Sequence, residues 1–472
     1  MSILSRSAGG RAGRLGCRLG AVAAICLLIA LPHRPAAAFP QGGDQTALPA
    51  GTDFNEEAIR QPREVFRSEQ SGGRKSDQVN LGDLAFNSPS ILGGPARRAG
   101  MSCGTCHVDG AGNSRLYVPG MSTRRGNFDT SGPLFNPLAD NHVLDPVRIP
   151  SLRGAHVLAP YGNDGRFASL RDFVHNVIVN EFAGPEPSPA ILDAIVAYIH
   201  DIDFLPNPKL APRGKLATTA SESEQRGEVL FNQPFRNDPQ LSCATCHVPS
   251  SAFIDHAQHD IGSGGIFKTP TLRNADFNAP YFHDGRFDTF DQVIDHFDRV
   301  FDLGLTPENR ADLAAYLAAI GNGIQPYEID GVGAQIKELN DFVSVLDSAI
   351  ATRDLAVIKL TVDTVGHELR ELTEKFPDIR DSVVSGGDDQ RRTARNALKN
   401  LVLMLRRIDL AASNGRFAEA ADELLLYRKF AFAAVPLALH TAEPWSLFNP
   451  TIQSAHYAAL RDLLQTAHQL PR

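Results

Sequence analysis

Apolar positions in this chain recur mostly at helical spacing. Leu81-Gly82-Asp83-Leu84-Ala85-Phe86 and Arg226-Gly227-Glu228-Val229-Leu230-Phe231 each read as one amphipathic helix. The stretches Ala194 to Ile202 and Asp312 to Ile320 read as two more. From about Val332 the pattern strengthens: Ile336, Leu339, Phe342, Val343 and Leu346 share a face, as do Leu398, Leu401, Val402 and Leu405, then Leu424, Leu425 and Tyr427. Pro377-Asp378, Ser385-Gly386-Gly387-Asp388-Asp389 and Asn414-Gly415 interrupt it. This region predicts four or five helices in an up-and-down bundle. The expected fold is mainly α.

The chain also repeats itself. Pro150-Ser151-Leu152-Arg153 corresponds to Pro270-Thr271-Leu272-Arg273. Ala159-Pro160-Tyr161 corresponds to Ala279-Pro280-Tyr281, and Asp164-Gly165-Arg166-Phe167 to Asp284-Gly285-Arg286-Phe287. All three pairs are separated by 120 residues. The Asp-Gly-Arg-Phe blocks read as tight turns into helices, and the Pro-rich stretch Leu205 to Thr218 reads as a linker.

Length and composition fit this picture. The 472 residues suggest about two to four domains. A hydrophobic share of 43% and a charged share of 21% are those of an ordinary globular protein. The net charge of −8 argues against nucleic-acid binding, which needs clustered positive charge. Arg6, Arg11, Arg14 and Arg18, the apolar stretch from Gly20 to about Leu31, and Ala36-Ala37-Ala38 read as a cleaved export signal over 1–38. The apolar stretch is too short to span ~30 Å of hydrocarbon, so no stable membrane span is expected after cleavage. The expected location is the periplasm.

Cleavage removes Cys17 and Cys26 and leaves Cys103, Cys106, Cys243 and Cys246. These lie in Cys103-Gly104-Thr105-Cys106-His107 and Cys243-Ala244-Thr245-Cys246-His247. Each is a C-x-x-C-H, the attachment signature of c-type haem. Two thiols at this spacing add to the two vinyl groups of one porphyrin, and the adjacent histidine presents a ring nitrogen to the iron. A shared zinc site would not need a histidine after each pair, and a thioredoxin-like pair would need a strand-to-helix context. Two covalent haems are therefore expected, with His107 and His247 as iron ligands.

Two tandem haem-c segments, each with Pro-x-Leu-Arg and Pro-Tyr-x-x-Asp-Gly-Arg-Phe, resemble the bacterial dihaem cytochrome c peroxidases and the related MauG-type enzymes. The resemblance covers roughly residues 76–325 and implies this organisation: an N-terminal arm over 39–75, a peroxide-reacting haem domain over 76–205, an electron-transfer haem domain over 206–325, and a helical extension over 326–472. It implies a distal glutamate after the first Asp-Gly-Arg, where Glu181 stands. A carboxyl near the iron moves a proton from the near to the far peroxide oxygen.

The chain departs from the family in several places. Asn163 stands where the family carries a tryptophan between the haems, and the one tryptophan is Trp445. Inter-haem electron exchange then needs another route, through Tyr161, Phe167 or water. The sixth-ligand position of the second haem falls on Phe297, which leaves neighbouring His296, His256, His259 or an open site. At the first haem Met121 is either a ligand or packed on the porphyrin. Arg148 stands where a calcium ligand is usual, so calcium is expected to be absent or bound differently, its charge supplied by the guanidinium.

The implied activity is reduction of hydrogen peroxide with electrons from a small cytochrome c or copper protein. The alternatives are peroxide-dependent oxidation of a partner protein, a non-enzymatic electron-transfer cytochrome, and a haem-based sensor with the extension as output.

Overall fold

The computed structural model describes residues 48–54, 62–323, 331–378, 384–456 and 458–459; the expected export signal over 1–38 lies outside them. The chain is mainly helical. The helices that matter below are α1 (Asp77–Phe86), α2 (Cys103–Cys106), α3 (Leu170–Asn176), α4 (Pro189–Asp201), α5 (Glu222–Asn232), α6 (Cys243–Cys246), α7 (Phe290–Phe301), α8 (Pro307–Gly321), α9 (Val332–Thr352), α10 (Leu355–Glu374), α11 (Asp388–Ser413) and α12 (Phe417–Ala442). Strands form short antiparallel pairs: β1 (Val65–Phe66) with β4 (Ile202–Asp203), β2 (Asn127–Phe128) with β3 (Val147–Arg148), and β5 (Gln258–Asp260) with β6 (Ile266–Lys268).

Capping residues set the helix starts, and the repeat reuses them. Ser169 caps α3 and Thr289 caps α7, each accepting a backbone N–H in the first turn. Ser188 and Thr306 cap α4 and α8, each followed by proline at the first helical position. Proline tolerates that position because its missing N–H would have no partner there. This start lies earlier than the apolar periodicity alone suggests.

Two helix crossings follow the same plan. Helix α1 crosses α4, and α5 crosses α8, each at a glycine. A Cβ added to Gly82 would lie 1.9 Å from Ala194 O, and one added to Gly227 would lie 2.1 Å from Asp312 O. Beside each crossing an aromatic pair packs toward a C-x-x-C-H histidine. Phe86 lies 5.1 Å from Tyr198 and 6.3 Å from His107, ring to ring. Phe231 lies 5.0 Å from Tyr316 and 6.5 Å from His247.

Beyond the second repeat, α9 to α12 each pack on the next, and α12 returns to α9. Their shared apolar core includes Phe342, Leu369, Leu398, Leu405 and Leu439, all fully buried. Leu84 of α1 belongs to the same cluster. Helix α1 is therefore covered on two sides, and its Asp83 is buried in an ion pair with Lys75 at 2.7 Å. The corresponding α5 leaves Val229 68% exposed. Among the described residues no helix is long and apolar enough to cross a membrane.

The two repeats face each other through equivalent residues. Arg148 N donates to His283 O at 2.6 Å, and 120 positions on in both repeats, Lys268 N donates to Asn163 O at 3.0 Å. Arg148 Nη1 reaches Asn278 O at 3.3 Å, while Lys268 Nζ reaches Leu158 O at 2.9 Å and Pro160 O at 2.7 Å. Asn127 donates to Asp284 O at 2.9 Å, and Gln258 donates to Asp164 O. Burial pushes the Lys268 ammonium down to about 8.

The glycine crossings give the first prediction. Gly82→Ala forces backbone apart at a close contact and destabilises the protein by about 1–3 kcal/mol in chemical denaturation. A change within about 0.5 kcal/mol, the range of ordinary surface substitutions, contradicts this account of the crossing.

Candidate haem sites and a distal carboxyl

The two C-x-x-C-H segments adopt the same local structure. Each Cys pair spans one turn of helix, α2 or α6, closed by a capping box: Ser102 with Thr105, and Ser242 with Thr245. Each histidine follows at the helix C-terminus with its ring fixed through Nδ1. His107 Nδ1 lies 3.0 Å from Pro150 O, the proline of Pro-Ser-Leu-Arg. His247 Nδ1 lies 3.1 Å from Phe253 O, and the backbone of Pro270, the matching proline, also acts on the imidazole. A carbonyl partner makes Nδ1 the protonated nitrogen and leaves Nε2 as the lone-pair nitrogen. Burial lowers the His107 pKa to about 4, so its imidazole is neutral at pH 7, the form that ligates iron. Burial pushes the Cys103 and Cys243 thiols up to about 12.

The surroundings fit a covalently held porphyrin. Arg153 is 1% exposed; its Nη2 donates to Pro62 O and Asp109 O, while Nε and Nη1 have no partner among the described residues. Buried guanidinium donors of this kind suit a porphyrin carboxylate. The residues that would hold the two groups are Cys103, Cys106 and His107, and Cys243, Cys246 and His247.

The two repeats differ in the turn that ends α3 in the first and the matching α7 in the second. After α3 the chain enters a π-helical turn, Val177–Glu181. The matching stretch of α7 stays α-helical through Phe301, which stands 120 residues after Glu181. The wider turn brings Glu181 back over its own helix. Its Oε1 accepts from Asn176 Nδ2 at 3.0 Å and from Arg166 Nη2 at 3.1 Å, and Thr130 also donates to the carboxylate. Arg166 pairs with Asp164 at 3.1 Å as well. The Glu181 side chain is 12% exposed. Burial raises its pKa, and Arg166, Thr130 and Asn176 oppose that rise. The result is a carboxyl whose pKa lies above its ordinary value and whose orientation is fixed by three partners. π-turns of this kind are frequent at functional sites. Arg166 belonged to a block repeated in the sequence; Asn176 and Thr130 carried no signal there.

The other expected site residues fall in distinct places. Met121 is buried in the apolar cluster that also holds Phe128, Phe135 and Phe182, the last adjacent to Glu181. The loop carrying it and the π-turn therefore share one core, through the Phe128–Phe182 stack. His296 lies on α7, where Nε2 lies 2.8 Å from Ile261 O and the ring packs against Phe282 and Phe297. His256 is engaged at both nitrogens, by Ala159 O at 2.7 Å and Ser251 Oγ at 3.0 Å. His259 pairs with Asp255 at 2.6 Å beside the Cys246 thiol. His175 pairs with Glu186 at 2.9 Å and does not join Glu181. The guanidinium of Arg148 lies buried at the crossing of the two repeats.

Comparison with known proteins agrees with this geometry. Residues 221–319 match the family model described as di-haem cytochrome c peroxidase. The chain is 24% identical to hydrazine synthase subunit gamma of Kuenenia stuttgartiensis over 327 residues, which is 56% of this chain and 83% of that protein. It is 33% identical to the methylamine utilization protein MauG of Methylophilus methylotrophus over 95 residues, 16% of this chain and 27% of that protein. A cytochrome-c peroxidase from Pseudomonas sp. (strain SCT) is 34% identical over 67 residues, 12% of this chain and 18% of its own length. Among solved structures, Kuenenia stuttgartiensis hydrazine synthase aligns with a TM-score of 0.39 at 21% identity, covering 62% of this chain and 98% of that one. A MauG-like protein associated with microbial copper homeostasis aligns with a TM-score of 0.35 at 18% identity, covering 56% and 93%. Residues 221–319 are thus similar to the di-haem cytochrome c peroxidases, a family of haem oxidoreductases. The chain's relatives include a peroxidase, MauG proteins and a hydrazine synthase subunit, three different reactions.

The Glu181 contacts yield a pH prediction. Arg166→Met removes the main charge that favours the carboxylate, so burial dominates and the Glu181 pKa moves further up. Carboxyl-stretch infrared titration, with Glu181→Gln as the blank, reads the shift. A midpoint that stays in place or falls contradicts the assigned contacts.

Proposed function

We propose that the protein is an exported, periplasmic dihaem c-type oxidoreductase that reduces hydrogen peroxide with electrons from a small redox protein. In this reading residues 76–205 and 206–325 are tandem haem-c domains, and 326–472 is a helical extension packed on the first. The observation that carries the reading is the asymmetry of the repeat. Glu181, fixed by Arg166 and Asn176, has Phe301 as its counterpart in the second repeat.

The haems supply the redox equivalents when bound. The chain itself supplies proton control. Glu181 as carboxylate would accept a proton from one peroxide oxygen, and as carboxylic acid would return it to the other as the O–O bond breaks. Hydrogen peroxide, two electrons and two protons then give two waters. Arg166 and Asn176 orient the carboxyl and limit how far burial raises its pKa. His107 and His247 hold neutral imidazoles in a fixed tautomer through the carbonyls of Pro150 and Phe253.

A second reading, peroxide-dependent oxidation of a residue on a partner protein, draws support from one surface feature. The loop carrying Leu138, Val143 and Leu144 is tied to the π-turn by Asn136, which donates to Asn180 O. These three apolar residues are 96%, 57% and 53% exposed, beside the proposed peroxide site. Contiguous exposed apolar surface of this type commonly marks a contact site.

Stopped-flow mixing of the diferric protein with hydrogen peroxide tests the reading. Glu181→Gln keeps the size and the hydrogen-bonding oxygen but cannot cycle a proton. It slows the peroxide reaction by about 10²–10⁴-fold, the usual contribution of a positioned acid–base group. An unchanged rate contradicts the role of Glu181, and a wild-type protein inert to peroxide leaves an electron-transfer cytochrome.

A further inference from the structure

We infer that Tyr198 is a redox-active residue: its phenol gives one electron to the oxidised haem held by His107 and its proton to Glu64, so that one oxidising equivalent comes to rest on the protein. The inference rests on the peroxide reading above and on His107 as an iron ligand.

Tyr198 lies on α4 and is 1% exposed. Its ring stands 5.1 Å from Phe86, and Phe86 stands 6.3 Å from His107, so the phenol is two aromatic contacts from the candidate ligand. The second repeat has the same ladder. Tyr316 stands 5.0 Å from Phe231, and Phe231 stands 6.5 Å from His247. An electron therefore has an equally short way out of either tyrosine.

The proton does not. Tyr198 Oη donates to Glu64 Oε1 at 3.2 Å. Tyr316 Oη is buried with no partner among the described residues. Glu64 stands just before β1, and its neighbour Arg63 pairs with Glu338 of α9 at 3.4 Å. The ladder thus belongs to the repeat, whereas the acceptor comes from the N-terminal arm and is braced by the C-terminal helices.

The acceptor decides the chemistry. Burial raises the Tyr198 pKa well above its ordinary value, and the carboxyl groups of Glu64, Asp83 and Glu338 raise it further. The phenol is therefore protonated when it is oxidised. A tyrosine that has lost an electron is a strong acid and sheds its proton to a base within hydrogen-bond reach. The step balances. The Tyr198 O–H bond breaks, the proton passes to Glu64, the electron reduces the oxidised haem by one unit, and a neutral phenoxyl radical remains. One electron from an outside donor, with the proton returning from Glu64, restores the phenol. Peroxide is the only oxidant required. The step operates when no outside electron arrives and the oxidised haems relax.

The test is EPR of the full-length holoprotein, frozen at intervals after the diferric form is mixed with one equivalent of hydrogen peroxide and no electron donor. Mass spectrometry first counts covalent haems in each variant. The expected result is an organic-radical signal that grows as ferric signal returns, and that narrows when the protein carries ring-deuterated tyrosine. Tyr198→Phe keeps the ring packing and abolishes the signal. Glu64→Gln keeps a carbonyl acceptor but no base, and lowers the radical yield severalfold; it decides the matter alone if Tyr198→Phe does not fold. Tyr316→Phe leaves the signal at the wild-type level. Haem oxidised by peroxide with no tyrosyl signal, a signal that survives Tyr198→Phe, or an unchanged yield in Glu64→Gln overturns the inference and leaves the peroxidase reading intact. Wild-type haem that peroxide does not oxidise overturns both.

Discussion

The His107 imidazole is bonded to the proline carbonyl of its Pro-Ser-Leu-Arg segment and the His247 imidazole to Phe253 O, and much of the architecture depends on this backbone bond. It fixes the ring tautomer and leaves one lone-pair nitrogen. At His107 it also ties the attachment motif to a strand that continues into the crossing with the other repeat. Pro150 lies two residues after Arg148, and Pro270 two residues after Lys268, and these are the residues that bond across the interface. In the first repeat, ligand orientation and the joining of the two halves therefore come from one short segment.

The repeat is preserved where it builds a haem cradle and broken where the halves need different chemistry. Gly82 and Gly227 permit the same helix crossing, and Phe86 with Tyr198 repeats in Phe231 with Tyr316. The break comes at the end of α3, where one π-turn replaces continued α-helix and presents Glu181. A second difference lies at the interface, where the Asn163 side chain donates to Arg148 O while the His283 ring stacks on Phe267. A third lies in the surroundings of α1, which the C-terminal helices cover and α5 lacks. Burying both faces of α1 restrains the half that carries Glu181.

Much of this was legible in the sequence because it rests on local chemistry. The breaks at Pro377, Gly386-Gly387 and Asn414-Gly415 fall between helices; α10 ends at Glu374 and α11 runs from Asp388 to Ser413. The end of α9 was not legible, because Arg353 takes the left-handed conformation without a glycine or proline to signal it. The π-turn was not legible either, since no residue type marks a switch from i−4 to i−5 bonding. Glu181 was placed by resemblance, but its partners Arg166, Asn176 and Thr130 come from three segments. The backbone bonds of Asn163 to Lys268 and of His283 to Arg148 join different repeats, which spacing along the chain does not encode.

The central claim is that two covalent haems in unequal halves share the two oxidising equivalents of one hydrogen peroxide. EPR of the diferric protein, recorded before and after one equivalent of hydrogen peroxide, tests it most directly. The account predicts that the ferric signals of both irons are lost together on the timescale of peroxide consumption. Two ferric signals that persist unchanged while peroxide remains in solution would contradict it.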